Sequence, residues 1–165
     1  MTVISSTKST ETLSFTLVAE FDADVKRVWQ IWEDPRQLER WWGPPTWPAT
    51  FTKHEFTPGG EASYYMTGPE GEKAGGWWRI TSIDAPNRLE FDDGFADDNG
   101  APVAEMGTTH ATVELEDVGG RTRMTVKSMF ESEEQMNKML EMGMEDGMKE
   151  AAGQIDPLLA EPSRA

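Results

Sequence analysis

Apolar and polar residues alternate from residue 12 to 21, with Leu13, Phe15, Leu17, Ala19 and Phe21 on one side, which predicts a strand with one buried face. The period then changes. Val25, Val28, Trp29 and Trp32 fall at i, i+3, i+4 and i+7, the spacing of one helical face, and Asp24 is placed to cap the first turn. Pro35 ends this helix and starts a second, whose apolar residues are Leu38, Trp41 and Trp42, until Gly43-Pro44-Pro45 stops the pattern. Four of the chain's seven tryptophans lie in these two short helices, so they need a large concave partner to cover them.

Alternation resumes at Trp47, Ala49 and Phe51, predicting a strand to about residue 56, and again at Ala62, Tyr64 and Met66. The turn between them is written in Thr57-Pro58-Gly59-Gly60. A fourth strand over 75–84 places Trp78, Ile80 and Ser82 inward, and a fifth covers 88–91. Residues 92–103 read as an acidic loop with a single large apolar residue, Phe95, and so as a rim or lid. Two more strands follow at about 105–117 and 121–130, turned at Gly119-Gly120; Ala111, Val113, Leu115, Met124, Val126, Ser128 and Phe130 face inward. Ser132 and Gln135 form a capping box for one long helix to about residue 160, weakened at Gly143, Gly147 and Gly153.

The expected architecture is α+β: a curved antiparallel sheet of six to seven strands around a long C-terminal helix, with two short helices after strand one. Residues 1–9 read as a disordered polar tail, 10–160 as a single domain and 161–165 as a frayed end. The N-terminus lacks the apolar core of a signal peptide, which leads to the expectation of a cytoplasmic protein.

Charge and composition then narrow the function. Thirty acidic against fifteen basic residues leave a net charge of −15, which repels nucleic acid and anionic membranes alike. With no cysteine, disulfides, thiolate metal sites and thiol nucleophiles are excluded. The two histidines, His54 and His110, lie on different strands at positions of outward parity and form no metal-ligand spacing, so neither a metal nor a cofactor is expected. Glu55 shares parity with Trp47 and Phe51 and is one candidate acid–base group; its alternative is a surface pair with Lys53. Tyr64 is the other. The inward sets supply an apolar lining of aromatic and methionine side chains: Trp32, Trp47, Tyr64, Trp78 and Phe91 with Met66, Met124, Met136 and Met139, the Ser128 hydroxyl among them and Phe95 as a gate. Ten methionines in the chain suit an adaptable pocket as well as a packed core.

The segments VWQIWEDPRQLERWWGP, FTPGGEASYYMTGPEG, GWWRITSIDAPNRLEFDDGFADDNG and EMGMEDGMKEAAGQIDPLLA together resemble the START-like (SRPBCC) superfamily, and within it the bacterial branch named after the activator of the 90-kDa heat-shock-protein ATPase. The likeness spans about residues 12–160 and departs at Asp24, where that family usually has proline. It implies the helix-grip fold, with a cavity between the sheet and the C-terminal helix. It implies three kinds of function. The first is binding of a hydrophobic small molecule, with weak catalysis or none. The second is a polyketide cyclase or dehydratase-like reaction on a cavity carboxylate or tyrosine; the third is a chaperone-ATPase-activating interaction module. A homodimer is compatible with all three.

Overall fold

The computed structural model describes residues 2–97, 99–103 and 107–161, with the backbone alone for residues 2–4. The segment expected to be a disordered tail is a strand, β1 (Thr2–Ser9), paired antiparallel with β2 (Ser14–Phe21). An edge strand needs backbone partners more than an apolar face, so its polar composition did not disclose it. Leu13 takes a φ of 50° at the turn between the two, which is why β2 begins two residues later than its alternation suggests.

Helix α1 (Val25–Glu33) is capped by Asp24, whose carboxylate accepts the Arg27 N–H at 2.8 Å. Asp34 repeats the device for α2 (Pro35–Leu38), accepting the Arg36 N–H at 2.9 Å. Helix α2 is shorter than expected, and Trp41 and Trp42 lie in the turns that follow it. The chain then enters a meander of β3 (Ala49–His54), β4 (Glu61–Thr67), β5 (Lys73–Asp84), β6 (Arg88–Ala96), β7 (Thr109–Asp117) and β8 (Thr122–Met129). All neighbours are antiparallel in the order β1-β2-β8-β7-β6-β5-β4-β3, so the described residues form one sheet of eight strands rather than six or seven.

Two further differences shape the site. Strand β6 does not stop at Phe91: Asp92 to Ala96 pair with Arg79 to Gly75 and extend the sheet into the expected loop, of which Asp98 lies outside the described residues. The expected long helix is three pieces, α3 (Glu133–Glu141), α4 (Met144–Ala152) and α5 (Ile155–Leu159). The first break is at Gly143, whose φ of 88° cannot continue a right-handed helix. Of the expected frayed end, residues 162–165 lie outside the described residues.

The α1–α2 pair and the C-terminal helices are tied together across one end of the sheet. Arg27 donates to the Leu158 carbonyl at 2.9 Å, and the Gln154 amide donates to the Gly43 carbonyl at 2.6 Å. At the other side Glu145 of α4 accepts from Ser6 at 2.7 Å and pairs with Lys8 at 3.3 Å, anchoring β1. Between helices and sheet lies one apolar core, from Phe15 and Phe21 through Trp32 and Trp78 to Ile155. Among the described residues no helix is long and apolar enough to cross a membrane.

Candidate functional site

The inner face of the sheet and the helices do not meet everywhere. They leave a cavity of about 350 Å³, within the size range of small-molecule sites. Its walls differ in kind. On the sheet and α1–α2 side stand Trp32, Trp41, Trp42, Tyr64 and Phe91, held by mutual ring contacts. Trp32 is fully buried, with Trp41 at 4.8 Å between ring centroids, Trp42 at 5.9 Å, and Trp78 and Phe91 both at 6.3 Å. On the helix side are Met139, Met142, Met144 and Met148, around the glycines Gly143 and Gly147.

Polar side chains are few. Tyr64, Asp93, Thr109 and Ser128 are the polar side chains of the described lining, and no lysine, arginine or histidine is among them. Tyr64 lies across Gly76, where a Cβ would come within 2.2 Å of its ring, so the missing side chain at Gly76 of β5 is what leaves room for the phenol. Asp93 is on the inner face of β6, in the same parity as Phe91 and Phe95. Among the described residues its carboxylate accepts no hydrogen bond. Burial, reinforced by the Asp92 carboxylate next to it and opposed by His110, lifts Asp93 to about 7. Its remaining accessible surface borders the cavity. Burial, and then the nearby Asp93, also push the Tyr64 phenol well above its ordinary value. The Trp42 indole N–H opposes that rise from close by, yet it completes no hydrogen bond of standard geometry, and the Trp32 N–H also lacks an acceptor.

Of the residues expected to contact a ligand, Trp32, Tyr64, Met66, Phe91, Phe95, Met124, Ser128 and Met139 line the cavity. Trp78 and Met136 do not. Trp78 is stacked on Phe91 at 4.1 Å and fully covered, and Met136 is packed in the core. Trp47 also stands away from the cavity, in the turn before β3 with its ring over Gly68, because the strand it was assigned to starts only at Ala49.

Glu55 is outside the cavity, in the surface pair with Lys53 that was the alternative to an acid–base role. A β-bulge between Phe51 and Lys53 shifts the alternation by one, so Lys53 and Glu55 face solvent, 3.5 Å apart in an ion pair. The same shift turns His54 inward instead of outward. His54 Nε2 lies 3.1 Å from the Trp32 carbonyl, and burial holds the imidazole below its ordinary pKa. His110 does face outward, as expected. It is flanked by Asp92 at 2.8 Å and Glu90 at 3.2 Å; desolvation lowers its pKa, but these two carboxylates outweigh that and raise it. No group of three or more metal-ligating side chains occurs among the described residues.

The carboxylate that sequence reading missed is Asp93. Its signal was present: the alternation of Leu89 and Phe91 continues through Asp93 to Phe95, but the run DDGFADDNG resembles a loop by composition. The Met-Gly wall was missed in part for a similar reason, since Met142, Met144 and Met148 fall on one lining only after Gly143 has broken the helix.

Comparisons with known proteins agree on the family. The model of the family described as activator of Hsp90 ATPase homolog 1-like protein matches residues 22–160. A solution NMR structure of a protein from Arthrobacter aurescens is 71% identical, covering 99% of this chain and 95% of the other, with a TM-score of 0.93. A crystal structure of a protein from Mycobacterium smegmatis is 41% identical over 99% of this chain and 100% of the other, at a TM-score of 0.90. One from Rhodobacter sphaeroides is 25% identical, covering 90% and 93%, at 0.79. No curated protein matches the sequence.

Proposed function

The chain belongs to the family of activator of Hsp90 ATPase homolog 1-like proteins, and from its cavity we propose that it binds a hydrophobic small molecule without transforming it. One observation carries this reading: an unfilled space of about 350 Å³ whose lining is apolar except for four side chains. A concave, largely apolar space of this size between sheet and helices has the form of a small-molecule site. Methionines on the helix wall suit an occupant of variable shape.

The test is a titration with the neutral apolar fluorophore N-phenyl-1-naphthylamine, with Ala111→Phe as the variant that fills the cavity. Ala111 borders the space and is almost fully covered. Saturable enhancement in the parent protein and its loss in the variant, with an unchanged circular dichroism spectrum, is the expected result. Equal enhancement in both proteins, or none in either, sinks the reading.

Asp93 lends weight to a second reading, a cyclase- or dehydratase-like enzyme. A cavity carboxylate poised at about 7 is suited to accept a proton from a carbon acid. Turnover of a β-hydroxy thioester, absent in Asp93→Asn, would establish it. The interaction-module reading has less support: it needs an exposed apolar patch, and Met142 is the one exposed large hydrophobic side chain among the described residues.

A further inference from the structure

We propose that the molecule this cavity selects is an amphiphilic amine, its apolar body against the aromatic wall and its ammonium group on the Asp93 carboxylate. The inference rests on the reading of the cavity as a small-molecule site and names the chemical class that site takes.

Three observations converge on it. Asp93 is the single carboxylate of the described lining, and no basic side chain there offsets it. Asp93 is half-buried against apolar neighbours and makes no hydrogen bond among the described residues, and a carboxylate held so, short of water and of a partner, gains from a cation. His110, the basic side chain whose charge acts on Asp93, is on the opposite face of the sheet, between Asp92 and Glu90. It leaves the inner carboxylate unpaired. A ligand cation would supply what the chain does not.

The surroundings of Asp93 also suit a cation. On its own strand Phe91 and Phe95 flank it, and Tyr64 and Trp42 stand in the same lining. Aromatic faces attract ammonium groups, most strongly where water is excluded. Tyr64, the other titratable group of the described lining, stays a neutral phenol and competes for no cation. The helix wall contributes methionines and glycines and no charge. Beyond the cavity, a net charge of −15 draws cations toward the protein. A fatty acid would meet the reverse of all this: a like charge in the lining, with no lysine or arginine among the described lining residues to receive its headgroup.

The experiment compares three ligands of one chain length, n-octylamine, n-octanol and n-octanoate, by calorimetry on the parent protein and Asp93→Asn. The parent is expected to rank amine over alcohol over carboxylate, with the amine ahead by roughly tenfold or more, the size of a charge-assisted hydrogen bond. In Asp93→Asn the amine should lose that advantage while octanol stays within about threefold, which also shows the variant's cavity intact. Amine affinity in the parent should rise with pH up to about 7, where Asp93 becomes ionised, and then level off; in the variant it should be flat. An amine that binds no better than octanol overturns the proposal and leaves the apolar pocket standing. So does an amine preference that survives in Asp93→Asn, since surface charge would then be its source. If none of the three binds, the pocket reading falls as well.

Discussion

The two walls of the cavity are made of different materials. The wall built by α1, α2 and the sheet is a lattice of rings, in which Trp32 has four aromatic neighbours and Trp78 stacks on Phe91. Aromatic side chains have few rotamers and large contact areas, so such a wall keeps its shape. The opposite wall, at the junction of α3 and α4, is methionine and glycine. Thioether chains rearrange at little cost, and the junction is a left-handed glycine followed by a helix with no side-chain cap. One side fixes the site and the other adapts to what enters it. The contrast also places Asp93, which belongs to the stiff side and therefore holds a fixed position relative to an occupant.

The sharpest test of this contrast is to truncate one residue from each wall. Trp32→Ala should cost about 3–5 kcal/mol, the range for a large buried aromatic. Met148→Ala, at the partly covered opposite wall, should cost under about 1 kcal/mol. Urea denaturation followed by circular dichroism measures both, and equal losses would abolish the distinction.

A second, smaller effect concerns the charge set into the stiff wall. Asp93 has a folded-state pKa of about 7 against an ordinary 3.8, so between those values the folded chain keeps a proton that the unfolded chain has released. The folded state therefore loses stability as pH rises through this window, and the loss is complete above 7. Asp93→Asn removes the ionised form, and should gain roughly 1–3 kcal/mol at pH 8 with little gain near pH 4. A gain independent of pH would mean that Asp93 is not ionising in the cavity.

The third test divides the adaptable wall between its two glycines. Gly143 has a φ of 88°, so Gly143→Ala should destabilise by about 1 kcal/mol. Gly147 lies inside α4, and a methyl group on its Cα would meet nothing within 4 Å, so Gly147→Ala should stabilise by about 0.5–1 kcal/mol. If both stabilise, the α3–α4 break is not a requirement of the fold.

How legible each wall was in the sequence follows the same division. Helix α1 and the start of α2 were readable because their period and caps are local: Asp24, Val28, Trp29, Trp32 and Pro35 act within a few residues of one another, whereas the end of α2 before Trp41 and Trp42 was not. The methionine wall was half readable. Gly143 announced a weak point, but whether a glycine bends a helix or breaks it depends on what the two pieces pack against. Least legible was the choice of carboxylate. Parity left Glu55 between the cavity and a surface pair with Lys53, and composition assigned Asp93 to a loop; strand pairing decided both, since a bulge in β3 turned Glu55 out to Lys53 and pairing with β5 carried β6 on through Asp93.

Spacing, composition and short motifs thus sufficed for the family, the antiparallel meander, the caps of α1 and α2 with the tryptophan face of α1, and the exclusion of cysteine chemistry. Strand pairing in three dimensions was needed to settle where strands gain or lose a residue of register, that β1 joins the sheet, and which ionisable group borders the cavity. The cause is the two-residue period of a strand. A single extra residue, invisible in composition and set by how neighbouring strands pair, exchanges the inside of a sheet for its outside.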